Sequence, residues 1–326
     1  MSAEKHVFLT RPLQEDVVSE FRAQLPGPLR IHHDPDVPPT RAELLEAVPG
    51  AAGLLTLVTD RIDAEVLDAA GDQLTVVANM AVGYDNIDVA AAAERGVTVT
   101  NTPGVLAESV ADLTMALLLA TVRRVAEGDR FIRTGTEWIW GPQSFVGLDV
   151  SAGSTLGIVG LGRIGMATAR RAAAFGMRII ATGSRASSEE AAALGIEPAS
   201  LAEVVQQSDV VSLHAPLTAD TTHMIGKHQL AAMKPGSYLI NTARGPLVDE
   251  DALADALESG HLGGAGLDVH EHEPQINERL RGLENVVLLP HIGSAGDATR
   301  SRMASLAFQN LVAVLRGRDP LTPVRP

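Results

Sequence analysis

The chain has 326 residues, no cysteine and a formal net charge of −14. The missing cysteines exclude disulfides, thiolate metal sites and a cysteine nucleophile. So negative a balance also disfavours nucleic acid and anionic membranes as partners. Hydrophobic residues make up 45% and charged residues 20%, a globular balance at a length that suits two domains. The opening MSAEKHVFLT has no basic region followed by an apolar stretch, so no signal peptide is expected. The most apolar helical pattern, 113–125, contains Thr114, Thr121, Arg123 and Arg124 and is too short and polar to span a bilayer. A cytoplasmic location is the resulting expectation.

In chain order, short apolar runs at 7–10, 29–32, 53–57, 74–79 and 97–100 read as strands. Helical stretches such as 41–47, 64–70 and 89–95 separate them, the pattern of parallel βαβ units in one small doubly wound domain. A long helical pattern then runs over 106–127, with Ser109 or Glu108 as candidate caps. Its apolar residues, including Leu113, Met115, Leu117, Leu118, Leu119 and Val122, cover more than one face. Such a helix must be buried in a core or against a second subunit, so a homodimer is expected to use part of it. Further strands are predicted at 155–159, 178–182, 210–214, 238–241, 264–269 and 286–289, and six parallel strands suit a complete dinucleotide-binding domain. A final helical pattern, 295–315, sets Met303, Leu306, Ala307, Leu311 and Leu315 on one stripe and is expected to return to the first domain. The tail 319–326 is proline-rich and predicted to be extended. The expected division is a discontinuous substrate domain, 1–102 plus 293–326, and a dinucleotide-binding domain, 103–292.

The segment TLGIVGLGRIG ends on Gly160-Leu161-Gly162-Arg163-Ile164-Gly165, a G-x-G-x-x-G placed between a buried strand and a helix. Gly160 permits the tight turn, Gly162 lets the backbone approach a pyrophosphate, and Gly165 allows helix to pack on strand. The following helix turns its N-terminal N–H groups to the phosphates. The glycines alone are a weak signal; the strand before, the helix after and the second strand at 178–182 make them specific. An acidic residue about twenty positions on normally binds the adenosine ribose 2′-hydroxyl of NAD. Here that stretch is Thr182-Gly183-Ser184-Arg185, with no acid before Glu189. Arg185 and Ser184 can instead hold a 2′-phosphate, which favours NADP over NAD, NAD remaining possible.

Hydride transfer to a carbonyl also requires a cation to hold the substrate, a proton donor and a group that sets the donor's pKa. Arg244 in NTARG, the acids of DVHEHEP and His291 in PHIGS each lie just beyond a predicted strand end, where open α/β sheets bind ligands. Arginine grips a carboxylate bidentately, and histidine gives and takes a proton near neutral pH. A neighbouring carboxylate favours the imidazolium. No metal is expected: His270 and His272 alternate with acids, so their side chains point apart.

These motifs, with NMAVGYDNID at 79–88 and TPGV at 102–105, resemble the D-isomer-specific 2-hydroxyacid dehydrogenases, and within them the glyoxylate/hydroxypyruvate reductases, over nearly the whole chain. The resemblance implies an α/β fold of two doubly wound parallel-sheet domains, a Rossmann cofactor domain inserted in a smaller flavodoxin-like substrate domain. It implies that Arg244 binds substrate carboxylate and carbonyl, that Glu273 rather than Glu271 is the catalytic acid, and that His291 transfers the proton. It implies that backbone N–H groups around Val82 and Gly83 hold the substrate carboxylate. It also implies that Asp268 lies at the nicotinamide end, that Thr242 and Pro216 line the cofactor cleft, and that Trp138 or Trp140 reaches an active site. The implied reaction is reduction of glyoxylate or hydroxypyruvate by NADP(H). Alternatives are a dehydrogenase for another D-2-hydroxy acid or a phosphonate, and a nicotinamide-sensing binding protein.

Overall fold

Parallel strands covered by helices on both faces must be apolar throughout. Two central strands, Ala51–Thr56 and Thr155–Val159, are buried at every residue. A computed structural model describes residues 5–25 and 27–325. It divides into two compact units, Met1–Leu106 with Gly296–Pro326, and Ala107–Ala295. Residues 103–106 thus group with the smaller unit and 293–295 with the larger, the reverse of the expected assignment of those short segments. The Gly293 N–H and carbonyl are held by Asp268 and Ser109, both in the larger unit.

In the smaller unit, β1 (His6–Leu9), β2 (Leu29–Ile31), β3 (Ala51–Thr56), β4 (Val76–Asn79) and β5 (Thr98–Thr100) form a parallel sheet in the order β2-β1-β3-β4-β5. This is the flavodoxin-like order. The helix starts are written into the sequence. Thr40 and Glu43 form a capping box, and Asp63 and Asp88 accept the N–H groups of Val66 and Ala91. The helix Asp297–Leu315 packs on this sheet, burying Met303, Ala307, Phe308 and Leu311. The approach is close: a Cβ on Gly53 of β3 would lie 3.1 Å from Leu311 Cδ1. The tail then runs extended beside β5, with the Val324 N–H on the Val99 carbonyl at 2.8 Å.

In the larger unit, β6 (Thr155–Val159), β7 (Arg178–Thr182), β8 (Glu197–Pro198), β9 (Val210–Leu213), β10 (Tyr238–Asn241), β11 (Gly264–Leu267) and β12 (Val286–Leu288) form a second parallel sheet. Its order is β12-β11-β10-β9-β6-β7-β8, the Rossmann arrangement with an added edge strand. The strand order reverses between β6 and β9. The sheet has seven strands where six were expected. The extra strand, β8, is two exposed residues including a proline, tolerated at a sheet edge and lacking the apolar run by which a strand is read.

The expected helix over 106–127 is two helices, Ala107–Val122 and Val125–Arg133. Arg124 breaks it by adopting φ 54°, with its guanidinium bound to Glu127 by two 2.7 Å hydrogen bonds and placed over the Phe145 ring. The Val122 carbonyl is taken by the Leu148 N–H. Ser109 caps nothing; its hydroxyl donates to the Gly293 carbonyl. The first helix buries Val110, Met115, Leu117, Leu118 and Val122 within its own unit, so its apolar breadth needs no second subunit. Among the described residues no helix is long and apolar enough to cross a membrane.

Candidate active site

At the end of β6 the chain turns sharply at Gly160, where φ is 98° and a Cβ would lie 2.5 Å from the Ala215 nitrogen. The N–H groups of Gly160 and Leu161 both donate to the Thr182 carbonyl at the end of β7, at 2.9 and 3.1 Å. A Cβ on Gly165 would lie 2.4 Å from the Gly160 carbonyl oxygen, so the helix Arg163–Ala174 is laid directly on the strand. At Gly162 a Cβ would meet nothing within 4 Å, and no side chain caps the helix. Two crowded glycines therefore shape the turn, and the open one exposes backbone beside the first-turn N–H groups at Arg163 and Ile164. That cradle fits a pyrophosphate.

Gly183, at φ 131°, has room for no more than hydrogen beside the Leu161 nitrogen, and Ser184 is exposed. Arg185 is ion-paired with Glu190, which also reaches Arg170 at 3.4 Å. The stretch after β7 therefore does have an acid nearby, supplied five residues on by the next helix. Both partners are about two-fifths exposed, 41% and 45%. Pairs so exposed contribute about 0–1 kcal/mol, so a phosphate is able to take Glu190's place.

Arg244, Glu273 and His291 lie on the loops after β10, β11 and β12. Asn241, buried at the end of β10, braces the turn that follows: its Oδ1 accepts the Ala243 N–H at 3.0 Å and its Nδ2 donates to the Arg244 carbonyl at 2.8 Å. The Arg244 guanidinium donates to the Ala243 carbonyl at 2.8 Å. Gly245 has no room for a side chain, since a Cβ there would lie 1.9 Å from the His270 carbonyl carbon. The arginine loop thereby rests on the backbone of the loop that carries Glu273.

After β11, both oxygens of Asp268 accept backbone N–H groups, Ile292 at 2.7 Å and Gly293 at 2.8 Å. Its carbonyl accepts the His291 N–H at 2.8 Å. This clamp holds His291 at φ 54°, a left-handed conformation costing a non-glycine residue about 1–2 kcal/mol. Asp268 thus spends its carboxylate on the histidine turn. His291 Nδ1 lies 3.0 Å from Glu273 Oε2, and Glu273 Oε1 accepts the His270 N–H at 3.0 Å. With Nδ1 committed to the carboxylate, Nε2 is the ring nitrogen left for proton transfer. Glu271 is committed elsewhere, to His223 Nε2 at 2.6 Å and to the Glu250 N–H.

Burial pushes the Glu273 carboxyl up, but the His291 hydrogen bond and charge and the His270 N–H together bring it below the ordinary range. Burial dominates at Asp268 and raises its carboxyl despite the two N–H donors. Burial also lowers His214 to about 4, so this ring, behind the cofactor turn, stays neutral. The Thr242 hydroxyl meets Thr114 at 2.8 Å, and Pro216 is exposed on the loop after β9. Among the described residues no group of three or more His, Asp or Glu has the geometry of a metal site. Val82 and Gly83 lie in the smaller unit, on the loop after β4. The Asn241 brace, the Gly245 contact and the Arg185–Glu190 pair were not read from sequence. Only Gly245 leaves a sequence signal, as a glycine directly after Arg244.

A histidine–glutamate pair beside a dinucleotide cradle, all at carboxyl ends of one parallel sheet, defines a nicotinamide-dependent dehydrogenase. Comparison with known proteins gives the family. The model for D-isomer specific 2-hydroxyacid dehydrogenase, NAD binding domain, matches residues 115–293. The glyoxylate reductase of Thermococcus litoralis is 47% identical over 319 residues, 96% of this chain and 95% of that one. The solved TT0316 protein of Thermus thermophilus superposes with a TM-score of 0.90 at 48% identity, covering 98% of this chain and 100% of that one. The NADPH-dependent glyoxylate/hydroxypyruvate reductase of Sinorhizobium meliloti, solved with NADP and malonate, gives 0.84 at 34% identity, covering 99% and 97%. The chain belongs to the D-isomer-specific 2-hydroxyacid dehydrogenase family and is an NAD(P)-dependent oxidoreductase.

The depressed Glu273 carboxyl has a defined consequence. Because its folded value lies below its unfolded one, the pair stabilises the fold above the ordinary carboxylate range and loses that contribution as pH falls through the folded value. A carbon-detected titration of Glu273 should give a midpoint below 4.5 in the native protein. In His291→Phe, burial is left to dominate and the midpoint should move up; an unmoved midpoint would contradict the pairing.

Proposed function

We propose that the protein reduces glyoxylate or hydroxypyruvate with NADPH, and that Arg244, Glu273 and His291 carry the chemistry. A nicotinamide cofactor, when bound by residues 160–165, would supply the hydride that the carbonyl carbon requires. Arg244 grips the substrate's carboxylate and carbonyl oxygen and draws charge toward that oxygen. His291 Nε2 delivers the proton that the developing alkoxide needs, and takes it back in the reverse direction. Glu273 fixes the imidazole's orientation through Nδ1. Val82 and Gly83 offer backbone N–H groups to the substrate carboxylate. On the cofactor side, residues 160–165 hold the pyrophosphate, Gly183, Ser184 and Arg185 the 2′-phosphate end, and Pro216, Thr242 and Asp268 the cleft toward the nicotinamide. The single observation carrying this reading is the 3.0 Å contact between His291 and Glu273 at the strand ends. The naming of curated relatives as glyoxylate reductases, and the NADP bound in the Sinorhizobium protein, support the substrate and cofactor.

The protein is further read as a homodimer. Its exposed apolar side chains concentrate on one stretch, with Val125 at 57%, Ile132 at 53%, Ile139 at 93% and Val146 at 60% exposure. Trp138 and Trp140 stand among them, at 62% and 77%. Such a patch marks an interface, and one of these indoles then serves a neighbouring active site.

Steady-state rates over a panel of 2-oxo acids, with NADPH and with NADH, test the activity. Glyoxylate and hydroxypyruvate should give the highest kcat/KM, and a better 2-oxo acid outside this pair would overturn the substrate assignment. Arg185→Ala should raise the KM for NADPH by about tenfold while leaving NADH within about twofold. Equal loss with both cofactors would show that Arg185 does not read the phosphate. Sedimentation should return twice the 34.2 kDa chain mass, and a monomer would remove the dimer reading.

A further inference from the structure

In the smaller unit, the loop after β4 presents its peptide groups in an ordered way. Three consecutive carbonyls are each held by a separate donor. The Ala81 carbonyl accepts the Thr102 N–H at 2.8 Å. The Val82 carbonyl accepts Asn101 Nδ2 at 2.8 Å, and the Gly83 carbonyl accepts Asn79 Nδ2 at 3.0 Å. These peptides are trans, so each carbonyl points opposite to the N–H of the residue that follows. Holding the carbonyls of Ala81 and Val82 from one side therefore turns the N–H groups of Val82 and Gly83 to the other. Among the described residues, neither of those N–H groups donates to another protein group.

The two asparagines are themselves immobilised. Asn79 is fully buried; its Oδ1 accepts the Thr56 hydroxyl at 3.2 Å and its Nδ2 also donates to Asn86 Oδ1 at 3.1 Å. Asn86 Nδ2 in turn donates to the carbonyls of Leu57 and Asp60 at 3.0 and 2.9 Å. Asn101 is fixed through its backbone, with its N–H on the Thr322 carbonyl and its carbonyl accepting the Thr322 hydroxyl at 2.6 Å. The C-terminal tail thus reaches the loop through Asn101.

We infer that Asn101 is a positioning residue that, by holding the Val82 carbonyl, aims the Gly83 N–H at the substrate carboxylate beside the Val82 N–H that the Thr102 backbone orients, while Asn79 braces the same loop through the Gly83 carbonyl. The inference rests on the reading that those N–H groups bind that carboxylate. Neither side chain needs to touch substrate; each acts by holding a carbonyl. A glycine-containing loop free to rotate its peptides would present the same donors only part of the time, and the ordering cost would fall on substrate binding.

The test uses Asn101→Ala in the full-length protein. The KM for glyoxylate and the inhibition constant for oxalate, a dicarboxylate probe, should both rise about tenfold, with kcat within about threefold. The dissociation constant for NADPH, which binds the larger unit, should stay within about twofold. Unchanged KM and inhibition constant would overturn the inference. Should Asn101→Ala fail to fold, Asn101→Leu keeps the side chain's shape and removes the donor without adding charge, and the same two constants must rise. Amide NMR of the native protein separates the two layers. Oxalate should shift the Val82 and Gly83 amide signals. Shifted amides with unaltered constants in the variant would refute the positioning role alone. Amides that do not respond would refute the carboxylate reading and the inference with it.

Discussion

Two hydrogen bonds, from the N–H groups of Ile292 and Gly293 to the carboxylate of Asp268, hold the turn that carries His291. They fix a turn in which His291 sits in a conformation its side chain disfavours, and that turn puts the imidazole against Glu273. Without the clamp the left-handed residue would relax, and the histidine–glutamate contact would go with it. The clamp is intrinsic to the fold, because Asp268 directly follows β11 and the histidine turn follows β12, its hydrogen-bonded neighbour. The sheet's parallel register thus delivers Glu273, His291 and Arg244 to the carboxyl ends of neighbouring strands, and the loops only refine where each side chain ends.

Much of this was legible in the sequence because its carriers are strong local signals. Fully apolar runs mark buried parallel strands, side-chain caps mark helix starts, and Gly160 and Gly165 sit where backbone crowding demands them. Arg244, Glu273 and His291 were visible as chemistry-bearing residues beyond strand ends. What stayed hidden was non-local. The break at Arg124 depends on an ion pair and a ring contact that helical periodicity does not register. β8 is too short and too polar to stand out. The Arg185–Glu190 pair and the Asn241 brace arise from side chains meeting across turns, and their residue types are equally at home on a surface.

That pair bears on cofactor choice. An arginine alone would read as a phosphate site; an arginine already neutralised by Glu190 is one for which phosphate must compete. Its exposure keeps such a competition inexpensive, and no carboxylate stands in the usual position after β7 where the 2′-hydroxyl of NADH is held.

The role assigned to His291 is tested most directly by the rate of single-turnover reduction of hydroxypyruvate, with NADPH deuterated at the transferable position to mark the hydride, in the native protein and in His291→Gln. The native protein should place the deuterium on carbon 2 of the D-isomer of glycerate. His291→Gln should bind NADPH as before and form that product about 10²–10⁴-fold more slowly. Product formed by His291→Gln within about threefold of the native rate would contradict the role given to the histidine–glutamate pair.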